Sequence, residues 1–418
     1  MLFTASSSSS RAALWRQRAA IALLVGTSLA RTAYALAQTP LDFLVYRQAG
    51  LDISNGLSPY RDTGGLPFTY PPLAAYLASP FAWLPEQVGS SLFTCANLAA
   101  YALVVALVAR RLGMPRAHLL LWLAGGLALA PVERHLALGQ VNLLLMGLVA
   151  ADLLGKRHRT TGVLIGLAAA IKVVPGVFVV LLLLRGERAP AARALGTTAA
   201  LTCLAFIADP SASRLYFGSL LWDPTRVGGV TYPDNPSVVG VVARALATNT
   251  PPAWVTLPLE VLVLALGALA ARRSLARNDQ VGALVCLAIG ALLASPVSWS
   301  HHWVWVVPAA MWLSRHGQRS LTALVLAASV VGPLTLTDWL DPWPWLAHPW
   351  PWPLAGQLVS AVLPFTAVAV LVVALKGGAL KSGTEAGGIL GHLLGRVIGD
   401  PRPEEAAQSV ALGARDDV

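Results

Sequence analysis

Charge is scarce in this chain: 12% of its 418 residues are Asp, Glu, Lys or Arg, against 56% hydrophobic. A soluble fold of this length would carry charged helix faces at a 3.6-residue period. Almost none is present, which argues against one large soluble core. Cysteine is nearly missing as well. Cys95, Cys203 and Cys286 all lie inside apolar runs, and an odd count with no outside pair supplies no disulfide framework. Also lacking are nucleotide loops of the GxGxxG or GxxxxGK[ST] type in a strand–helix context, which points away from an ATP or nucleotide-sugar site. No HxxxH pattern or external cysteine accompanies the adjacent His301 and His302, so no metal site is expected. No internal repeat of the transporter kind is visible.

What is present is a series of long apolar runs, the signature of a polytopic, all-α membrane protein. The excess of 30 basic over 20 acidic residues is not gathered into an arm or patch for nucleic acid. It falls in short clusters between apolar runs: Arg11/Arg16/Arg18, Arg110/Arg111/Arg116, Lys156/Arg157/Arg159, Arg185/Arg188/Arg193, Arg272/Arg273/Arg277 and Arg315/Arg319. That is the positive-inside pattern, and each cluster marks a cytoplasmic loop. Crossings are expected near 19–37, 89–109, 117–131, 139–155, 194–208, 252–271, 279–296, 302–314, 320–337 and 354–375. About ten crossings put both termini in the cytoplasm. Ala35-Leu36-Ala37 before Gln38 resembles a signal-cleavage site, but an uncleaved helix at 19–37 fits this topology.

Two apolar pieces do not fit as simple spans. Segment 71–84 is short and bracketed by prolines, which predicts a partial helix dipping in from outside. Segment 161–184 is long enough to cross once, yet basic clusters flank both ends. A re-entrant pair of half-helices broken at Lys172–Gly176 keeps both clusters inside. Acidic residues then concentrate outside, at Asp42, Asp52, Asp62, Glu133, Asp209, Asp223 and Asp234 among others, so the polar chemistry is expected on the outer face. The loop 338–353, rich in Trp and Pro, reads as an interfacial anchor or lid. The domain plan is a cytoplasmic segment 1–18, a membrane domain 19–375 and a cytoplasmic tail 376–418. That tail starts with an amphipathic helix and ends in disorder.

The polar residues beside the membrane are the candidates for function. Asp42, Val45, Tyr46, Ala49 and Ile53 share one face of a predicted surface helix that stops at Asn55-Gly56. Asp42 reads either as a helix N-cap or as a carboxylate placed to take a proton from a hydroxyl. An ammonium inside an apolar run is costly, and Lys172 either snorkels to the interface or is functional. Gln140, Asn142, Asn235, Ser237, Arg244, His301 and His302 lie on the same expected side. Each of Gln140, Asn142 and the two histidines reads equally well as an interfacial or helix–helix hydrogen bond. Asp52 and Asp62 read as solvated loop residues.

Taken in series, "LDFLVYRQAGLDISNGLSPY", "FTYPPLAAYLASPFAWLP", "LGQVNLLLMGLVAADLL", "GLAAAIKVVPGVF", "NPSVVGVVAR" and "SPVSWSHHWVW" resemble glycosyltransferase family 87. These are integral-membrane GT-C enzymes typified by polyprenol-phosphomannose-dependent α-mannosyltransferases of actinobacterial envelopes. The resemblance implies inverting transfer of a hexose, foremost mannose, from a polyprenyl-phosphate donor to a glycolipid or lipoglycan hydroxyl at the outer face of the plasma membrane. It implies Asp42 as base. Lys172, Arg244, His301 and His302 would hold the donor phosphate, and Tyr46, Tyr70, Gln140, Asn142, Asn235 and Ser237 would be sugar or scaffold contacts. No cofactor and no metal are expected, since a monophosphate leaves without a divalent cation. The partners are the two lipid substrates and the bilayer. Another lipid-linked sugar, such as arabinofuranose or glucose, or a flippase for such a lipid, is the alternative.

Overall fold

The computed structural model describes residues 40–330 and 354–376, with isolated positions between 22 and 37. The expected first span at 19–37 lies for the most part outside the described residues, as do the Trp-Pro loop 338–353 and the tail beyond 376. Among the described residues every regular element is helical. Three helices are long and apolar enough to cross a bilayer: Glu86–Arg111, Arg188–Ala208 and Ala253–Ala276. A fourth candidate is the bent pair His118–Leu127 and Ala130–Leu138, which turns through 59°. The expected crossings at 139–155, 279–296 and 320–337 correspond to shorter apolar helices, Asn142–Leu154, Gln280–Ala294 and Arg319–Val330.

The surface helix is present as α1, Leu41–Ser54, closed by Asn55 and by Gly56 at φ +70°. The partial helix is α2, Pro72–Ala82, with Pro72 in the first turn where its missing N–H costs nothing. The two pack closely. A Cβ on Gly50 would lie 2.7 Å from the Ala78 carbonyl, so only glycine permits this approach. Ala49, Phe68, Tyr70 and Ala75 form a small separate core there, flanked by Val45, Tyr46 and Ile53. The main core runs through Val104, Val149, Leu284, Leu287, Val307, Met311 and Trp312.

Segment 161–184 is a hairpin. Val163–Ile171 (α3) ends where the missing amide of Pro175 leaves the Ile171 carbonyl without its helical donor. Lys172 is extended at φ −148°, a 3-10 turn Val174–Val177 follows, and Phe178–Leu184 (α4) returns the chain. The two ends close on each other. Arg157 pairs with Glu187, Arg193 Nε donates to Thr161 O at 2.9 Å, and Gly162 sits against the Pro190 carbonyl. The same end gathers other basic clusters: Arg111 and Arg185 donate to the carbonyls of Leu154 and Leu153, and Arg315 donates to Leu112.

One backbone position ties this frame to the site. Gly139 terminates Ala130–Leu138 (α5) in the left-handed region at φ +68°, and a Cβ there would lie 2.6 Å from Pro40 Cβ and 3.0 Å from Phe43 Cβ. Gly139→Ala is expected to destabilise the protein by about 1–3 kcal/mol from combined strain and overpacking. Thermal unfolding in detergent, read beside Gly64→Ala, checks this. Gly64 has φ +73° but nothing within 4 Å of its would-be Cβ, so an equal fall in the two midpoints would contradict the packing argument.

Candidate active site

The first turn of α1 places Asp42 in the lining of a cleft of about 690 Å³. Pro40 occupies the N-cap position, and no side chain caps that end. The N-cap reading of Asp42 therefore fails. Its Oδ2 instead accepts a 2.6 Å hydrogen bond from Gln140 Nε2. Gln140 follows Gly139, whose left-handed turn brings α5 back beside the start of α1. Gln140 Oε1 in turn lies 3.1 Å from the Tyr46 hydroxyl and 3.0 Å from the Tyr70 hydroxyl, and those two phenols lie 3.0 Å apart. Burial raises the Asp42 carboxyl above its ordinary 3.8, opposed by the Gln140 hydrogen bond and then by the Lys172 charge.

The hairpin carries Lys172 into the same cleft. Its ammonium donates to Asn142 Oδ1 at 2.9 Å, lies 3.4 Å from His302 Nε2 and sits 5.3 Å from the centre of the Tyr70 ring. Asn142 Nδ2 reaches Gln140 Oε1 and the His301 carbonyl at 3.5 Å each, at the long limit of a hydrogen bond. Asp42, Gln140, Asn142, Lys172 and His302 thus form one connected polar chain, acidic at one end and cationic at the other. His301 lines the cleft with both ring nitrogens buried and without a hydrogen-bond partner.

Other candidates take different places. Arg244 is buried, yet its guanidinium donates to the carbonyls of Tyr232 and Asn235 and does not line the cleft. In this geometry Arg244 holds a loop, apart from the residues that line the cleft. Asn235 and Ser237 are scaffold. The Asn235 amide donates to Val230 O and Pro296 O while its Oδ1 accepts from Ser298 N, and Ser237 Oγ caps Val238–Leu246 through the Gly240 amide. Asp52, expected to be solvated, is 2% exposed. It accepts from Gln48 and pairs with Arg61 at 2.8 Å, pinning the loop that follows α1. Asp62 is exposed and holds its own turn through Gly64 N.

Further polar and aromatic residues stand in the cleft or next to its lining. Arg134 and Asp234 both line the cleft, a guanidinium nitrogen of one 3.6 Å from the carboxylate of the other. His135 accepts the Leu143 amide at 3.0 Å and so satisfies a free donor at the start of Asn142–Leu154. Tyr216 stacks on Tyr60 with centroids 5.8 Å apart, beside Arg226, and Trp299 meets Tyr232 edge-on. Aromatic faces and hydroxyl-binding polar groups in one cleft suit a carbohydrate. Among the described residues no group of three or more His, Cys, Asp or Glu is placed to hold a metal ion.

Comparison with known proteins gives this geometry a family. A polyprenol-phosphate-mannose-dependent alpha-(1-2)-phosphatidylinositol mannoside mannosyltransferase of Mycolicibacterium smegmatis is 35% identical over 335 residues, 71% of this chain and 76% of that protein. Its namesake from Mycobacterium tuberculosis is 33% identical over 344 residues, 76% of this chain and 80% of its own. A pentamannoside mannosyltransferase from M. smegmatis, also polyprenol-phosphate-mannose-dependent, shares 31% over 75% of this chain and 78% of its own. No solved structure matches. Residues 68–296 match the profile of glycosyltransferase family 87, and with these relatives the chain belongs to that family.

Proposed function

We propose that the protein transfers mannose from a polyprenyl-phosphate donor to a hydroxyl of a phosphatidylinositol mannoside or similar glycolipid, with inversion. The relatives' substrates suggest both lipids. The observation that carries the mechanism is the polar chain in the cleft, which holds a carboxylate and an ammonium in one hydrogen-bonded assembly.

The chemistry follows from the two ends of that chain. Asp42 takes the proton from the acceptor hydroxyl as its oxygen attacks the anomeric carbon. The bond from that carbon to the phosphate oxygen breaks, and the polyprenyl phosphate leaves with the electron pair. In this reading Lys172 neutralises that developing anion, with the His302 imidazole 3.4 Å from the ammonium as its neighbour in the phosphate site. Gln140, Tyr46 and Tyr70 hold the base in place. The reaction as proposed uses no metal and no cofactor.

The site faces the outer side of the plasma membrane in this proposal, with about ten crossings and both termini inside. Residues 19–375 form the catalytic domain between short cytoplasmic ends. Support comes from the arginine clusters, which meet at the end of the hairpin away from the cleft.

Three outcomes are expected. Asp42→Asn keeps an acceptor for Gln140 and so keeps the fold, but lowers transfer about 10²- to 10⁴-fold. Membranes carrying either form, incubated with radiolabelled polyprenyl-phosphate mannose and resolved for glycolipid products, decide this; full transfer by the variant would sink the base assignment. The base works only as a carboxylate. Its raised pKa therefore sets the acid limb of kcat/KM above the ordinary 3.8 of Asp, with activity lost as pH falls through it. A limb unmoved from 3.8 would contradict the buried-base geometry. Lys172→Gln keeps a donor for Asn142 without the charge, and kcat should drop about 10²- to 10³-fold. A change confined to the acceptor KM would remove Lys172 from the leaving group.

A further inference from the structure

The polar chain from Asp42 to His302 uses one side of the cleft. Beyond His302 the cleft holds further polar groups that the reaction as proposed leaves unused. The main chain couples them: Ser300 N donates to Asp234 O at 3.0 Å, holding Asp234 against the segment that carries His301 and His302. Asp234 is 2% exposed and His301 6%, yet Asp234 Oδ1 and both His301 ring nitrogens have no hydrogen-bond partner. The nearest cation, Arg134 NH2, is 3.6 Å from Asp234 Oδ2, longer than a formed hydrogen bond, and Arg134 Nε is itself unpartnered. Ser300 is the other group beside the carboxylate. Buried polar atoms of this kind are normally satisfied. Here all three side chains line the cleft.

What they present is an anionic acceptor, a cationic donor fork and an imidazole with both nitrogens open. A carboxylate accepts two O–H groups, and a guanidinium donates to hydroxyl oxygens. Adjacent hydroxyls on a pyranose ring are both donors and acceptors and suit that set. A lipid phosphate does not, because the buried carboxylate would repel it. His301 directly precedes His302, which touches Lys172. A ring bound here lies next to the phosphate position, as the sugar of a glycosyl phosphate must.

We infer that Asp234, Arg134 and His301 form the subsite that binds the ring hydroxyls of the donor hexose. This rests on the lipid-phosphate-sugar reading above and extends it to residues that determine sugar recognition.

The test is equilibrium binding to purified full-length protein in lipid nanodiscs, without acceptor, so that no turnover occurs. The probes are polyprenyl phosphate and polyprenyl-phosphate mannose. Wild type should bind the mannosylated lipid at least about tenfold more tightly than the bare lipid phosphate, the scale of charge-assisted hydrogen bonds. Asp234→Asn should erase most of that advantage while leaving the bare lipid phosphate within about twofold. Arg134→Gln, on a separate and more exposed element, should do the same, which keeps the test decisive if Asp234→Asn folds poorly. Survival of the sugar advantage in both variants overturns the subsite alone. Weakened binding of a phosphatidylinositol mannoside with an intact donor advantage overturns it too, by assigning the groups to the acceptor. A wild type that binds neither polyprenyl lipid overturns the reaction, and this inference with it.

Discussion

A single primary amide sets the geometry of the cleft. Gln140 has one acceptor oxygen and one donor nitrogen on the same carbon, and the Asp42 carboxylate can take only the donor. The oxygen must then turn toward Tyr46, Tyr70 and Asn142. Each neighbour's role follows: the phenols and the Asn142 amide give protons inward, and the Asn142 oxygen is left facing Lys172. Acid and cation are thus kept apart by neutral groups that cannot exchange roles. A direct ion pair between them would silence both; an amide between them leaves each with capacity for substrate.

The rest of the fold serves to deliver that amide and its partners from distant parts of the chain. Gly139 allows the backbone to reverse against Pro40 and Phe43. Gly50 lets α1 lie on α2, which brings Tyr70 under Tyr46 with ring centroids 5.2 Å apart. Two edge-on rings in contact are a rigid support. The arginine-rich end does the opposite job with the opposite chemistry. There the guanidinium groups hold main-chain carbonyls at helix ends, where the helix dipole favours positive charge.

How much of this was legible in the sequence depends on whether charge or contact was decisive. The hairpin could be read because basic clusters are biased to one side of a membrane, and the break falls on Lys172 through Gly176 as the proline requires. For Asp42 the residues alone left a helix cap and a base open, and the family resemblance singled it out; what the sequence does not give is its Gln140 partner, 98 positions away. The position of Arg244 was not legible, since the sequence gives its charge and its neighbourhood but not that the carbonyls of Tyr232 and Asn235 accept from it. Asp52 misled for a similar reason: its partner Arg61 lies beyond the helix end, where no periodicity relates them. The Arg134–Asp234 pairing is set by tertiary packing, and nothing local announces it. The crossing number was less legible, because Asn142–Leu154 and Gln280–Ala294 are shorter than the apolar runs that hold them.

The closed base of the hairpin has one more consequence. Its ends are fastened by Arg157 to Glu187 and by Arg193 to Thr161, on the far side from the cleft. The reach of Lys172 is thereby a counted length, the nine residues of Val163–Ile171 measured up from that anchor. One residue more or fewer in that helix would shift the ammonium by about 1.5 Å and swing it by about 100°. The hairpin is a ruler, and the reach of a charge into the cleft is written in the number of small and aliphatic residues beneath it.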